Sequence, residues 1–219
     1  MCFSPEADLT TGVVVGVVGL DALRHASRPQ QMALASLPLL LAVHEMDEAL
    51  VWWGLRGQLP WAVTHAAIYI FLTVAFALPF LVPLATLGIE PRLRRRRVMA
   101  GLLVVGAATT SALLAAVVGS GVGATIDGSH IAYTAQISYG SLLVALYIVA
   151  TCGSMLVASS RFLVLFGVCN VAAVMGVGWL TFTGFTSLWC AWAAVTSIAI
   201  AVYLRRTPVT AMVPVGAAA

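Results

Sequence analysis

The chain has 219 residues, of which 61% are hydrophobic and only 9% are charged. Soluble domains carry roughly 25% charged residues, so this composition excludes an ordinary soluble enzyme or nucleic-acid-binding domain and indicates an integral membrane protein. All eleven basic residues are arginines, because the sequence contains no lysine. A retinal protein is therefore excluded, since retinal is attached through a lysine Schiff base.

Seven apolar stretches follow one another with short breaks, each near the roughly 20 residues that a helix needs to cross the hydrocarbon core. They lack the period-2 alternation of barrel strands, so the expected fold is all-α, a bundle of seven transmembrane helices. The first helix is expected to start at Pro5 behind Ser4 as N-cap, without a cleaved signal peptide. The expected helices cover residues 5–27, 32–55, 61–87, 98–119, 137–159, 161–180 and 185–204, within one domain over 1–206 and before a short tail over 207–219.

The arginines give the expected orientation. Most of them follow the first, third, fifth and seventh helices, and only Arg56 falls at the other end of the bundle. The positive-inside rule then places the N-terminus outside and the C-terminus in the cytoplasm, as in a multi-pass protein of the bacterial inner membrane. The run "RLRRRR" at 92–97 is interpreted as this topology signal in contact with the lipid bilayer, and no nucleic-acid partner is expected.

The stretch "VHEMDEALVWW" in the outer half of the second helix is unusually polar. It carries His44, Glu45, Asp47 and Glu48 within two helical turns. An ionised side chain at a membrane helix centre is unfavourable by roughly 2.5 to 3.5 kcal/mol, and less near an interface. We therefore expect these groups to face the bundle interior, where they are protonated, paired or bound to metal.

The spacing of His44 and Glu48 resembles the zinc motif H-E-x-x-H, with a glutamate in place of the second histidine. His65 or His130 could complete a three-ligand site for zinc or copper. A metal-dependent site is one interpretation. The others are a proton-coupled solute transporter, a purely structural polar core, and an accessory subunit of a larger membrane complex or homo-oligomer.

Cys2 and Cys190 are the two cysteines expected on the oxidising side of the membrane. They could form a disulfide that ties the N-terminus to the last helix, or they could bind copper or zinc beside a histidine. A third alternative is that Cys190 is only a small buried residue.

Several segments together resemble an uncharacterised family of bacterial polytopic membrane proteins that begin Met-Cys-Phe-Ser. These segments are "MCFSPEA", the "EALVW" of the second helix, Glu90-Pro91, "GSHIAY" and "FTSLWCAWAA". The resemblance implies a membrane fold and a candidate site but no reaction. It points to Cys2, Glu48, Trp52, His130, Tyr133, Trp189 and Cys190. Relatives tend to carry amides at positions 44 and 45. This weakens the interpretation of His44 and Glu45 as part of the zinc-protease motif H-E-x-x-H.

The sequence thus predicts an extracytoplasmic polar pocket with Glu48 and His130 as candidate catalytic groups. The candidate metal ligands are Cys2, His44, Glu48, His65, His130 and Cys190. The pocket is expected to be lined by Glu45, Asp47, Trp52, Tyr133 and Trp189.

Overall fold

The computed structural model describes residues 4–128, 130–180 and 185–206, except for the side chains of 120, 177–180, 185–191 and 193. This part of the chain contains seven α-helices, which confirms the expected helical fold and helix count. The helices are α1 (Pro5–His25), α2 (Pro29–Leu55), α3 (Trp61–Ile89), α4 (Leu93–Ser120), α5 (Gly140–Leu156), α6 (Arg161–Leu180) and α7 (Phe185–Arg206).

A β-hairpin lies between α4 and α5, in a segment that falls between the expected helices and for which no strand was predicted. Strand β1 (Val122–Asp127) pairs antiparallel with β2 (His130–Ala135). We call the end of the bundle that carries this hairpin the hairpin end, and the opposite end, where α4 begins among its arginines, the arginine-rich end.

Two helices begin earlier than their apolar stretches. Helix α2 starts at Pro29, and the Gln31 side chain accepts hydrogen bonds from the backbone N–H groups of Ser27 and Arg28 at 2.9 and 3.2 Å. Helix α4 starts at Leu93 and includes four arginines. Arginine is a good helix former, so hydropathy marks where the apolar part begins and not where the helix begins.

Among the described residues, two helices are long and apolar enough to cross a membrane, namely Trp61–Ile89 and Leu93–Gly119. Helix α7 packs on α1, α2 and α6, and α5 packs on α3, α4 and α6. Toward the arginine-rich end, these helices share an apolar core that includes Leu34, Val82, Met155, Phe166 and Ile200.

Helices α1 and α2 approach each other closely along a line of small residues. A Cβ atom at Gly12 would lie 2.7 Å from Met46 Cγ, and one at Gly19 would lie 2.8 Å from the backbone nitrogen of Leu39. Only glycine fits these two positions, because any side chain would push the helices apart. This contact holds the polar turn of α2 against α1.

Hydrogen bonds between two interhelical turns stabilise the arginine-rich end. The Glu90 carboxylate accepts the backbone N–H of Ser159 at 2.7 Å and that of Arg92 at 3.0 Å, and it also contacts the Ser159 hydroxyl. Arg95 donates to the carbonyls of Val157 and Ala158, where α5 ends. These bonds join the α3–α4 turn to the α5–α6 turn.

An ion pair joins the first and last helices at the same end. Asp21 of α1 accepts two bonds from the Arg205 guanidinium of α7, both at 2.7 Å. Such two-pronged pairing fixes the relative position of the two helices as well as their distance.

Candidate functional site

The four polar side chains in the polar turn of α2 are all buried. The exposed fraction is 6% for His44, 1% for Glu45, 6% for Asp47 and 0% for Glu48. Glu48 follows Leu37 and Leu41 on one face of the helix, because the three residues are spaced by four and seven positions. Leu37 and Leu41 line a cavity in the bundle interior, so the face that carries Glu48 points inward.

Asp8 is a further buried carboxylate, not predicted as part of the site, with an exposed fraction of 0%. Because Gly12 lies opposite Met46 and Gly19 opposite Leu39, the same antiparallel register places Asp8 opposite Leu50, between Glu48 and Trp52 along α2. The sequence feature that points to the burial of Asp8 is its spacing along α1. Asp8 belongs to the series of buried α1 positions at steps of three and four: Pro5, Asp8, Gly12, Val15, Gly19 and Ala22.

Three aromatic rings connect α2, α3 and the hairpin. The imidazole of His44 stacks on Phe71 with centroids 4.0 Å apart and an interplanar angle of 17°. Phe71 in turn stacks on Tyr133, with centroids 4.3 Å apart at 8°. The stack brings two of the sequence-predicted residues, His44 and Tyr133, to opposite sides of a single phenyl ring.

The hairpin has one apolar and one polar face. Residues paired across the strands share a face, so Ala124 lies with Tyr133 and Ile126 with Ile131. This face packs into a cluster of α2, α3 and α4 side chains around Phe71, and Ile131 is fully buried there. The apolar face of the hairpin thus covers the helix core at this end of the bundle.

His130 lies on the other face of the hairpin. It pairs with Asp127 across the strands, and its Nε2 atom is 3.7 Å from an Asp127 carboxylate oxygen. Since successive residues of a strand point to opposite faces, His130 and Tyr133 point to different sides of β2. The pairing of Glu48 with His130 as catalytic groups therefore stays a prediction.

Trp52 lies one turn beyond Glu48 on the same face of α2 and is 2% exposed. Its indole is covered by the guanidinium of Arg56, 5.1 Å from the ring centroid. Arg56 itself is exposed at the end of the helix. Trp52 therefore separates the buried carboxylates from the arginine nearest to them along α2.

Some buried polar atoms in this region have no hydrogen-bond partner in the structure. They are Nδ1 of His44, an oxygen of Asp47 and Nε1 of Trp52. Buried polar side chains usually have a partner in the protein, an ordered water or a ligand. Three such atoms within three turns of one helix indicate a place where a ligand or ordered water belongs.

His65 lies apart from this turn. Its ring packs between Trp61 and Tyr69 on α3, with centroid distances of 5.5 and 4.8 Å. Within the described part of the chain, no three side chains of histidine, cysteine, aspartate or glutamate lie close enough together to hold a metal ion. Cys2 and the side chains of Trp189 and Cys190, including the predicted disulfide, lie outside the described residues.

A cavity of about 70 Å³ lies deeper in the bundle, about two helical turns from Glu48, and is lined by Leu37 and Leu41 of α2 but not by Glu48. Its wall includes Thr151, Asn170 and Trp192, and the indole N–H of Trp192 donates to the Asn170 side chain at 2.9 Å. The interior beyond the carboxylates is therefore partly polar.

The chain matches no curated protein and no solved structure. A family model matches residues 1–214, which is nearly the whole chain. The chain therefore belongs to the family of unknown function DUF6629.

Proposed function

We propose that this chain is a multi-pass protein of the bacterial inner membrane, with its N-terminus outside, and that it binds a metal cation in the outer half of the bundle. The proposed orientation comes from the positive-inside rule, which places the arginine-rich end in the cytoplasm and the hairpin end outside. In the proposal, all seven helices span the membrane, and the site is centred on Glu48.

Charge supports a cation as the ligand. Asp8, Glu45, Asp47 and Glu48 are each at most 6% exposed and lie within a few turns of one another. Burying ionised carboxylates is costly unless protons, paired cations or metal ions balance them. The chain has no lysine, so arginine, histidine, protons or a bound cation must balance this charge.

The partnerless polar atoms are the observation that carries the proposal. The Asp47 oxygen is a buried acceptor and Trp52 Nε1 a buried donor, whereas His44 Nδ1 can bind a metal in the tautomer that carries its proton on Nε2. A hydrated cation suits this mixture, because the cation binds nitrogen and oxygen while its water molecules also accept from the indole.

The proposed ligands are His44 and Glu48, with Cys2 or Cys190 completing the set for zinc or copper. Thiolate and imidazole together suit both metals. His130 and His65 are weaker candidates, because the structure holds His130 on the polar hairpin face and His65 beside Trp61. If the site performs catalysis, Glu48 is the proposed proton acceptor.

Elemental analysis of the protein purified in mild detergent tests this proposal. The wild-type chain should contain about one zinc or copper ion per chain, as structural and catalytic sites do. The Glu48→Gln variant should lose the metal, whereas Asp127→Asn should retain it. Asp127 is the matched control, because its carboxylate is on the same end of the bundle but 60% exposed.

A wild-type chain that contains no metal, and that binds neither zinc nor copper in titration calorimetry, would overturn the metal site. Melting curves in the same detergent serve as the folding control. A Glu48→Gln variant that melts like the metal-free wild type shows that any loss of metal is local, because bound metal itself raises the melting temperature.

Proton-coupled transport is the second candidate, and the cavity inward of Glu48 favours it. In that case the purified chain contains no metal. Proteoliposomes should then acidify when a proton gradient is applied, and the flux should fall in Glu48→Gln but not in Asp127→Asn. Equal flux in all three chains would exclude this candidate.

A further inference from the structure

We infer that the exposed face of α4 binds one anionic phospholipid, with the phosphate between Arg94 and Arg97 and an acyl chain along the helix past Gly101. This inference rests on the proposed membrane insertion and is independent of the proposed cation site.

The arginines at the start of α4 have two different roles. Arg95 donates to the carbonyls that end α5, and Arg96 donates to the Glu90 carbonyl at 3.2 Å. Arg94 and Arg97 are exposed and form no hydrogen bond or ion pair with the part of the chain that the structure describes. These two guanidinium groups are therefore available to an external anion.

The position of these arginines makes an external anion more favourable. The first turn of α4 carries no acidic residue, and the N-cap residue Arg92 gives no side-chain capping bond. The N-terminus of a helix is already the positive end of its dipole. Arginines there place positive charge beside the positive end of the helix dipole. A bound phosphate group offsets this repulsion.

The apolar part of the proposed site continues from Arg97 along the same face. Residues 94, 97, 101, 104 and 108 lie on one side of the helix because they are spaced by three and four positions. Val104 is 69% exposed, and a Cβ atom at Gly101 would meet nothing within 4 Å. The absent side chain leaves a notch one turn from Arg97.

Helix α4 also packs less against the bundle than the other apolar helix. Only 22% of its most apolar window is buried inside the protein, against 39% for α3. In a membrane, this face meets lipid or another protein.

Charge decides between those two occupants. A second copy of the chain must insert with the same orientation, so a dimer on this face would bring Arg94 and Arg97 beside their own copies. Like charges at close range oppose that contact. An anionic phospholipid instead supplies a phosphate for the arginines and an acyl chain for the apolar face.

Native mass spectrometry of the detergent-purified full chain tests the inference, with phosphatidylglycerol and phosphatidylcholine as probes. We expect phosphatidylglycerol to bind about thirtyfold more tightly, because each of the two arginines near the headgroup favours an anionic lipid by about fivefold. The double variant Arg94→Gln/Arg97→Gln should lose most of this preference. Arg24→Gln/Arg206→Gln is the matched control, since it removes the same charge from exposed positions at the same end.

Gly101→Leu tests the acyl-chain part, because it fills the notch without changing charge. It should weaken phosphatidylglycerol binding, and inorganic phosphate at millimolar concentration should not displace the lipid. Displacement by inorganic phosphate would show a simple anion site and overturn the lipid assignment.

Equal binding of the two lipids by the wild type, or equal losses in both double variants, would also overturn the inference. A dimer that dissociates in Gly101→Leu would assign the face to a second copy instead. Extraction of membranes with alkaline carbonate is the separate test of insertion. A chain that stays in the membrane but does not distinguish the lipids refutes only this inference.

Discussion

His44 of α2 stacks face to face on Phe71 of α3, with ring centroids 4.0 Å apart. The histidine ring therefore has a packing role that does not depend on its nitrogen atoms. Its buried Nδ1 atom has no hydrogen-bond partner, so the same residue also carries an unused polar group. The two roles can be separated by substitution.

The His44→Phe variant keeps an aromatic ring on Phe71 and removes the buried nitrogen. With both chains kept metal-free by a chelator, we expect its melting temperature to stay the same or rise, because an unsatisfied buried polar group costs about 1 to 3 kcal/mol. Its metal content should fall if His44 is a ligand. Elemental analysis and thermal unfolding in detergent measure both effects.

His65→Phe is the control for this substitution, since His65 packs between Trp61 and Tyr69 on another face. It should leave the metal content unchanged. A His44→Phe chain that is less stable and still binds metal would contradict both parts of the prediction.

Gly106→Ala should destabilise the bundle, because the added Cβ would lie 1.8 Å from the Pro79 carbonyl oxygen of α3. Overpacking of this kind costs about 1 to 3 kcal/mol. Gly101→Ala on the same helix meets nothing within 4 Å. It should be neutral or stabilise by up to about 1 kcal/mol through helix propensity. Similar melting temperatures for the two variants would show that α3 and α4 do not pack as described.

Glu90→Ala should loosen the arginine-rich end, because it leaves the backbone N–H groups of Ser159 and Arg92 without their acceptor. The expected loss is about 2 kcal/mol or more. Ser159→Ala removes only the hydroxyl contact and should cost about 1 kcal/mol. Thermal unfolding compares the two, and the prediction fails if Ser159→Ala is the more damaging change.

The Cys2–Cys190 disulfide remains a prediction that labelling can test. Cys152 and Cys169 have free thiols in the structure. If Cys2 and Cys190 are paired, alkylation of the denatured chain without reductant modifies two of the four cysteines and reduction exposes all four, whereas thiolate ligands of the proposed metal site would react without reductant. Modification of all four before reduction would exclude the disulfide.

The hairpin shows why part of the fold was missed. Its strands are only six residues each, and β1 contains a glycine, so the strand signal in the sequence is weak. An isolated hairpin is marginal in water and gains stability from packing. Here that packing comes from Phe71 and its neighbours on helices far away in sequence.

The candidate site, too, could be predicted only in part from the sequence. The polar residues of α2 could be recognised because charged groups are rare in an apolar stretch. Asp8 was missed because its burial depends on α1 lying against α2. The separation of His130 from Tyr133 depends on the register of a hairpin that was not expected.

The sequence by itself determined the number and helical nature of the apolar segments and the presence of four polar groups in one of them. Local composition and spacing are sufficient for such properties, because they are set within a single segment. The tertiary structure alone decided that Asp8 joins the carboxylates, that His44 stacks on Phe71 and that His130 faces away from Tyr133. Those relationships depend on how close one helix or strand approaches another, and glycine contacts and strand register set that distance.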